Sequence, residues 1–183
     1  MWTCERVAGA ELDVEEVLAL YRASTLAERR PVADVERFAR MLAGANLVVV
    51  AREEDGRLIG ISRAITDGAY ATYLSDLAVD ASHQGRGVGR DLVRATGEAA
   101  PQATLILLAA PAAVDYYPHI GFTRHDSAWT LQGPSDPEGR PSPEPPAPVN
   151  APRPTELCGL SSVVTVHDPC GMPVVCVIRR VGA

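Results

Sequence analysis

Residues 77–90 read Leu77-Ala78-Val79-Asp80-Ala81-Ser82-His83-Gln84-Gly85-Arg86-Gly87-Val88-Gly89-Arg90. A strand pattern leads into a glycine-rich loop, and the loop opens a helix whose apolar residues recur at helical spacing. Glycine permits positive φ and close approach of a ligand, and the first N–H groups of a helix have no internal partner. Because the helix dipole is positive at this end, the segment predicts an anion site built from backbone and suited to a pyrophosphate. Arg86 and Arg90 can add charge-assisted hydrogen bonds.

Two common phosphate-binding loops do not fit this segment. The dinucleotide fingerprint Gly-x-Gly-x-x-Gly requires a glycine where the chain has Arg90. The P-loop requires a lysine, and all 17 basic residues of this chain are arginines. From the loop alone, a tight turn without any ligand remains an open alternative.

Strand and helix patterns alternate along the first 132 residues. Asp13 can cap one helix, Pro31 suits the first turn of a second, and Pro101 ends the helix after the glycines. A short helix is expected near residues 112–117. Strands are expected at residues 2–7, 47–51, 58–65, 71–79, 104–108 and 122–131. The alternation predicts an α/β domain over residues 1–132.

A proline-rich segment separates this domain from a tail. Residues 133–154 contain nine prolines, which lack the backbone N–H and fix φ, so the segment is predicted to be an extended linker. In the tail, residues 155–183, the segments 162–166 and 174–178 predict a two-stranded hairpin. Because a lone hairpin is marginally stable, we expect it to dock on the domain or on a second subunit of a homodimer, or else to stay disordered.

Charge and composition narrow the classes of partner. A formal net charge of −6 argues against nucleic acid and weakly favours a cationic acceptor such as an amine. The longest apolar run, residues 105–114, is too short to cross a membrane, and no signal-peptide pattern opens the chain, so a cytoplasmic location is expected. No metal site is expected, because Cys158, His167, Cys170 and Cys176 include no Cys-x-x-Cys pair.

Two motifs together resemble the GNAT superfamily of N-acyltransferases. Gln84-x-x-Gly87-x-Gly89 matches its acyl-CoA signature (Gln or Arg, two residues, Gly, one residue, Gly or Ala) after a Leu-x-Val strand. About 35 residues later, Tyr116-Tyr117 followed by Gly121-Phe122 resembles its second signature. The resemblance implies a mixed, mostly antiparallel central sheet of about six or seven strands, flanked by helices and splayed between the fourth and fifth strands. It covers residues 1–132.

The resemblance also implies a reaction and the residues that carry it. Acetyl-CoA would be the co-substrate, and a primary amine of a small molecule or peptide would attack its thioester directly in a ternary complex. Leu77, Ala78 and Val79 would pair their backbones with the pantetheine arm, and amides of this strand would stabilise the oxyanion. Tyr117 would protonate the departing thiolate as general acid. The pyrophosphate would be cradled by Gln84, Gly85, Arg86, Gly87, Val88, Gly89 and Arg90.

Some positions depart from the family pattern. Ala110 lies where many relatives have an asparagine, and Ser75 lies where polyamine-type relatives often have a glutamate. Asp76 is the nearest carboxylate and could act as general base, directly or through a water. Ser75 with a water, or neither residue, is an alternative, and Asp76 could instead pair with an arginine. A CoA-sensing or interaction module that has lost turnover is therefore a second hypothesis for the function.

Overall fold

The computed structural model describes residues 1–131, 163–167 and 173–177. The chain forms two compact units, Met1–Asp126 and Ser127–Ala183. In chain order, the strands and α-helices are β1 (Trp2–Val7), α1 (Val14–Ala23), α2 (Val35–Ala43), β2 (Leu47–Glu53), β3 (Leu58–Thr66), β4 (Ala71–Val79), α3 (Val88–Ala99), β5 (Thr104–Ile106), α4 (Tyr116–His119), β6 (Val163–His167) and β7 (Pro173–Val177).

The first unit is built on a five-stranded sheet in the order β1-β2-β3-β4-β5. Neighbouring strands are antiparallel except β4 and β5, which run parallel. The mixed, mostly antiparallel sheet predicted from the sequence is confirmed, with one or two strands fewer than expected. The pairing of β4 with β5 spans only Ala71–Tyr73 against Thr104–Ile106, so β5 ends two residues before the predicted boundary.

The strand predicted at residues 122–131 is wrong. Phe122 packs its ring against Tyr117 with 5.5 Å between the centroids, but the next residues turn and form no strand up to residue 131. Arg124 and Asp126 form an ion pair across this turn (3.4 Å). Trp129 is 93% exposed and Leu131 is 99% exposed. The pattern fails because the four residues after Phe122 are polar and offer no apolar face to pack.

Helices cover both faces of the sheet, and the side chains of β2 alternate between the two cores that result. Val48 and Val50 face one core with α1 and α2, whereas Leu47, Val49 and Ala51 face a second core with α3. This period of two, with both faces apolar, is what a strand buried on two sides requires.

Two capping aspartates fix where the first helices begin. The Asp13 carboxylate accepts a hydrogen bond from the Glu15 N–H (2.8 Å), which confirms the predicted cap. The second helix does not begin at Pro31 as predicted. Asp34 caps it by accepting from the Arg37 N–H (2.9 Å), and Pro31 lies in the turn before it. A side-chain cap outweighs the preference of proline for a first turn.

A β-bulge at Ser75 changes which face the β4 side chains use. Ala64 pairs with Leu74 and Arg63 pairs with Asp76, so Ser75 is the extra residue. Leu74 consequently packs in the core under α3, whereas Ala78 packs in the core under α1 and α2. Asp76, the residue after the bulge, is buried.

The described part of the second unit is a two-stranded antiparallel sheet of β6 and β7, with Thr165 opposite Val175. These strands overlap the two segments predicted for the tail, residues 162–166 and 174–178, and the connection between them, residues 168–172, lies outside the described residues. The predicted linker, residues 133–154, lies outside the described residues.

Candidate functional site

A cavity of about 700 Å³ opens where β4, the glycine loop and α4 meet. Eight of the ten residues predicted to bind the cofactor line it. Tyr117 lines it as well, and the segment between α1 and α2 forms a further wall. The lining residues are Ser24, Thr25, Leu26, Arg29, Leu77, Val79, His83, Gln84, Gly85, Arg86, Gly87, Gly89, Arg90, Ala110, Ala112, Ala113, Tyr116, Tyr117 and Ile120.

One wall is the edge of β4 beyond its pairing with β5. Because β5 pairs only as far as Tyr73, the backbone of residues 75–79 has no strand partner on that side among the described residues. Leu77 and Val79 line the cavity, whereas Ala78 turns its side chain into the core. This early end of the β4–β5 pairing leaves backbone groups that an extended, amide-bearing ligand could pair with.

The glycine loop adopts the backbone that its sequence suggests. Gly85 (φ 73°) and Gly87 (φ 101°) are left-handed, a conformation that other residues adopt only with strain. Gly87 caps α3, so the first N–H groups of the helix lack internal partners. The Gln84 side chain donates to the Val79 carbonyl (3.0 Å) and folds the loop onto the end of the strand. Val88 is buried in the core, so only its backbone is left for a ligand.

The side chains that line the cavity carry a net positive charge. The lining contains three arginines, Arg29, Arg86 and Arg90, and no carboxylate. Arg86 lies over the Trp2 ring at 5.8 Å, a cation–π contact that orients the exposed side chain. Backbone cradle, guanidinium groups and apolar walls are together the chemistry that a diphosphate with a long amide arm requires, so these residues fit acetyl-CoA.

Tyr117 is held by the turn that follows α4. Its carbonyl accepts hydrogen bonds from the N–H groups of Ile120 and Phe122 (3.1 Å each), and Gly121 (φ 95°) allows the chain to turn back. Its ring packs edge-on against Tyr116 and Phe122. Burial raises the pKa of the Tyr117 phenol, and Tyr116 adds to this effect, so the hydroxyl keeps its proton at neutral pH.

Tyr116 is a site residue that the sequence analysis did not single out. A Cβ at Gly89 would lie 2.9 Å from the Tyr116 hydroxyl, so this phenol packs against the first turn of α3. This close approach explains on steric grounds why the last position of the motif is a glycine. The adjacent tyrosines could have drawn attention to Tyr116, but the surrounding sequence did not indicate that its side chain packs against α3.

Asp76 lies outside the cavity, and its side chain has no exposed surface. Its carboxylate accepts hydrogen bonds from Arg30 Nε, Arg63 Nε and the Tyr21 hydroxyl, the last at 2.9 Å. Burial is the largest influence on the pKa of Arg63 and lowers it, but the charge of Asp76 and the hydrogen bonds to Asp76 and Tyr21 together raise that pKa above its usual value. An acceptor amine cannot reach this carboxylate, so the geometry favours the ion-paired alternative over a general base.

Three further residues near the site, His83, Ser75 and His119, carry groups that could act as a base. His83 is buried; its Nδ1 lies 2.8 Å from Ser82 Oγ and its Nε2 lies 3.2 Å from the Glu53 carboxylate. These contacts tie the glycine loop to the end of β2. Ser75 Oγ accepts a hydrogen bond from Arg63 Nη2 (2.8 Å). His119 is exposed at the end of α4, and Ala110 lines the cavity where many relatives would place an amide side chain.

Other kinds of site find little support in the described residues. Within residues 1–131 and the two hairpin strands, no cluster of His, Cys, Asp or Glu is arranged to hold a metal. No helix in the same residues has the length and apolar character that crossing a bilayer needs. The side chains of Cys158, His167, Cys170 and Cys176 lie outside what the structure describes.

Comparison with solved structures gives the same fold. A GNAT family acetyltransferase from Streptococcus pneumoniae superposes with a TM-score of 0.61 at 22% identity, over 74% of this chain and 100% of that one. An aminoglycoside acetyltransferase from an uncultured soil metagenomic sample, solved with sisomicin, gives a TM-score of 0.56 at 20% identity, over 74% and 97%. At these identities the likeness shows the fold alone.

Comparison with sequences shows the family. The chain is 34% identical over 74 residues to GCN5-related N-acetyltransferase 2, chloroplastic, from Arabidopsis thaliana. That match covers 39% of this chain and 29% of the relative, well under two thirds of its length. The family model described as "Acetyltransferase (GNAT) domain" matches residues 17–133, which is more than half of the chain and includes both motifs. The chain therefore belongs to the GNAT family of acetyltransferases.

Proposed function

We propose that this protein transfers an acetyl group from acetyl-CoA to a primary amine of a small molecule or peptide, directly and in a ternary complex. The proposal rests on one observation. A single cavity combines a backbone cradle at the N-terminus of α3, an unpaired β4 edge and a protonated tyrosine. Each of these features serves a different part of an acyl-CoA thioester.

We assign binding of acetyl-CoA to two stretches of backbone. The N–H groups of residues 84–90 would hold the diphosphate, assisted by the guanidinium groups of Arg86 and Arg90. The open edge of residues 77–79 would pair with the amides of the pantetheine arm. When bound, acetyl-CoA supplies an acetyl thioester already activated for attack by an amine. Ala110 removes one side-chain contact from this set and leaves the backbone contacts intact.

Proton handling in this proposal depends on Tyr117. Its Oη would donate a proton to the sulfur as the thiolate departs, and its raised pKa keeps that proton in place at neutral pH. No carboxylate lies among the described lining residues, so the acceptor amine would lose its proton to solvent before it attacks. Turnover should therefore rise with pH until the acceptor amine is neutral.

Thioester turnover tests the proposal. The purified protein would be incubated with acetyl-CoA and a broad panel of amines, with free CoA and acetylated products followed by mass spectrometry. Amine-dependent CoA release with a matching acetylated product is the expected result. Tight acetyl-CoA binding without product from any amine would support the alternative, a CoA-binding sensor or interaction module that has lost turnover.

A further inference from the structure

Arg29 lines the cavity, and the contacts of its neighbour Arg30 show where along β4 it lies. The next residue, Arg30, donates from Nη2 to the Ser75 carbonyl (2.7 Å) and from Nε to the Asp76 carboxylate. The glycine loop begins beyond Val79, four residues further along β4. At the rise of a β-strand, this separates the two ends by roughly 13 Å. Arg29 therefore lines the end of the cavity that the phosphate cradle does not use.

The backbone at Arg29 is fixed, although its side chain is exposed. The Arg30 guanidinium donates from Nη1 to the Arg29 carbonyl (2.9 Å), so the buried Asp76 anchors both residues. The same segment contains Thr25 in the left-handed region (φ 67°), which a β-branched residue adopts only where its surroundings impose it. A segment held in this way presents Arg29 in a defined direction.

The guanidinium of Arg29 is not part of any ion pair among the described residues. The described residues that line the cavity include no carboxylate either. Burial and Tyr116 raise the pKa of Tyr117, whereas the Arg29 charge lowers it, so the guanidinium is close enough to act on that phenol. Arg86 and Arg90 belong to the phosphate cradle, which leaves Arg29 as the cation of the acceptor end.

We propose that the acceptor is an amine that also carries an anionic group, a carboxylate or a phosphate, and that Arg29 binds this group. The inference rests on the acetyltransferase function proposed above. A guanidinium that is not in an ion pair attracts an anion and repels a polycation, so Arg29 favours an anionic acceptor in both ways. The formal net charge of −6 favours cationic acceptors only in long-range steering, whereas the local charge of the cavity decides what stays bound.

Amines of equal chain length separate these chemistries. The panel is γ-aminobutyrate and its amide, 4-aminobutyl phosphate and 4-aminobutanol, and 1,4-diaminobutane, each compared by kcat/KM with acetyl-CoA saturating. We expect the anionic member of at least one pair to be preferred by about 10-fold or more, as for a hydrogen bond to a charged group. Comparing the preference in the carboxylate–amide pair with that in the phosphate–alcohol pair shows which of the two anionic groups the protein binds.

Variants of Arg29 connect the preference to this side chain. Arg29→Gln should lower kcat/KM for the anionic amine by about 10- to 100-fold and leave the neutral partner and acetyl-CoA affinity unchanged. Arg29→Glu should shift the preference to the diamine. Arg22→Gln, at an exposed arginine of α1 outside the cavity lining, is the matched control and should change nothing.

The possible failures are distinguishable. Acetylation that favours neutral or dicationic amines, or an Arg29→Gln variant that keeps its preference, would overturn this inference and leave the proposed function intact. Weakened acetyl-CoA binding in Arg29→Gln would also overturn it, because Arg29 would then serve the co-substrate. Absence of acetylation with every amine would reject the proposed function and this inference together.

Discussion

Tyr117 owes its position to the backbone around it. The turn at Gly121 brings Phe122 back onto the phenol ring, and two N–H groups hold the Tyr117 carbonyl. Removing the hydroxyl alone should therefore leave the ring packing intact, which makes this residue a clean test of the proposed chemistry.

We expect Tyr117→Phe to lower turnover by ~10²-fold or more with little change in acetyl-CoA affinity, because the thiolate loses its proton donor. Steady-state kinetics and acetyl-CoA titration would measure the two quantities. Tyr70→Phe, at a phenol that is 80% exposed, is the control. Turnover at the wild-type rate in Tyr117→Phe would remove the tyrosine from the mechanism.

Asp76 acts, in this account, on the position of Arg30 and Arg63 and not on the substrate. Asp76→Asn should lower the free energy of unfolding by about 3–5 kcal/mol, because two arginines lose a buried counter-ion. Chemical denaturation would measure this loss. The pH dependence of kcat/KM for the folded variant should keep its wild-type shape. A stable variant that has lost an ionisation from its pH profile would instead identify Asp76 as the general base.

Asp76 could be identified from the sequence as a candidate residue, but the sequence did not show whether it is a general base or an ion-pair partner. Its two arginine partners are 46 and 13 residues away, and the bulge at Ser75 determines which face of β4 the carboxylate takes. Neither the distant arginine partners nor the bulge produces a recognisable pattern in the sequence around Asp76. The glycine loop was predictable for the opposite reason, since its positive φ angles and its helix N-terminus are set within seven residues, 84–90.

Helices were predictable where a capping residue or a proline in the sequence marks their ends. The Asp13 cap set the start of α1, and Pro101 follows the end of α3. The strand expected at residues 122–131 does not form, because the four polar residues after Phe122 offer no apolar face for the sheet to bury. The segment between α1 and α2, which lines the cavity, has no motif that would have identified it.

A bidentate ion pair joins α1 to β2. Arg52 Nη1 and Nη2 each lie 2.7 Å from the Glu16 carboxylate. The hydrogen bond from Arg52 holds the pKa of Glu16 below its usual value of 4.5, against a smaller opposing effect of burial. A carboxylate with a lowered folded pKa stabilises the protein above its unfolded pKa, and this stability is lost as the pH falls through the folded pKa.

Glu16→Gln should therefore destabilise the protein by about 0.5–1 kcal/mol at neutral pH, as for a partly exposed pair. The difference from wild type should stay constant down to about pH 5.5 and shrink at lower pH. Denaturation curves across a pH series would measure it. Glu15→Gln, at an exposed neighbour, is the control. A difference that does not depend on pH would mean that the ion pair contributes nothing.

On the scale of the whole molecule, residues 1–132 should function without the rest. Both motifs and all five strands of the larger sheet precede Gly133, and the family match ends at residue 133. Deleting residues 133–183 should leave a folded protein that binds acetyl-CoA. The deletion should also lower solubility or change the oligomeric state, because it uncovers any apolar surface that the hairpin protects.

Acetyl-CoA titration and light scattering on the truncated protein would test both parts. Loss of acetyl-CoA binding would show that the tail belongs to the active fold. Unchanged solubility and oligomeric state would show that the hairpin covers no apolar surface.

The glycine loop at the start of α3 is the proposed binding site for acetyl-CoA. Acetyl-CoA should raise the melting temperature of the wild-type protein, since a ligand that binds only the folded state stabilises it. Gly87→Asp should abolish this shift, because it puts a side chain and a negative charge where the diphosphate would bind. Gly68→Asp is the matched control, since Gly68 has a similar positive φ (74°) and lies outside the cavity lining. We expect Gly68→Asp to keep the full acetyl-CoA shift and Gly87→Asp to lose it; an equal shift in both variants would show that the glycine loop is not the binding site.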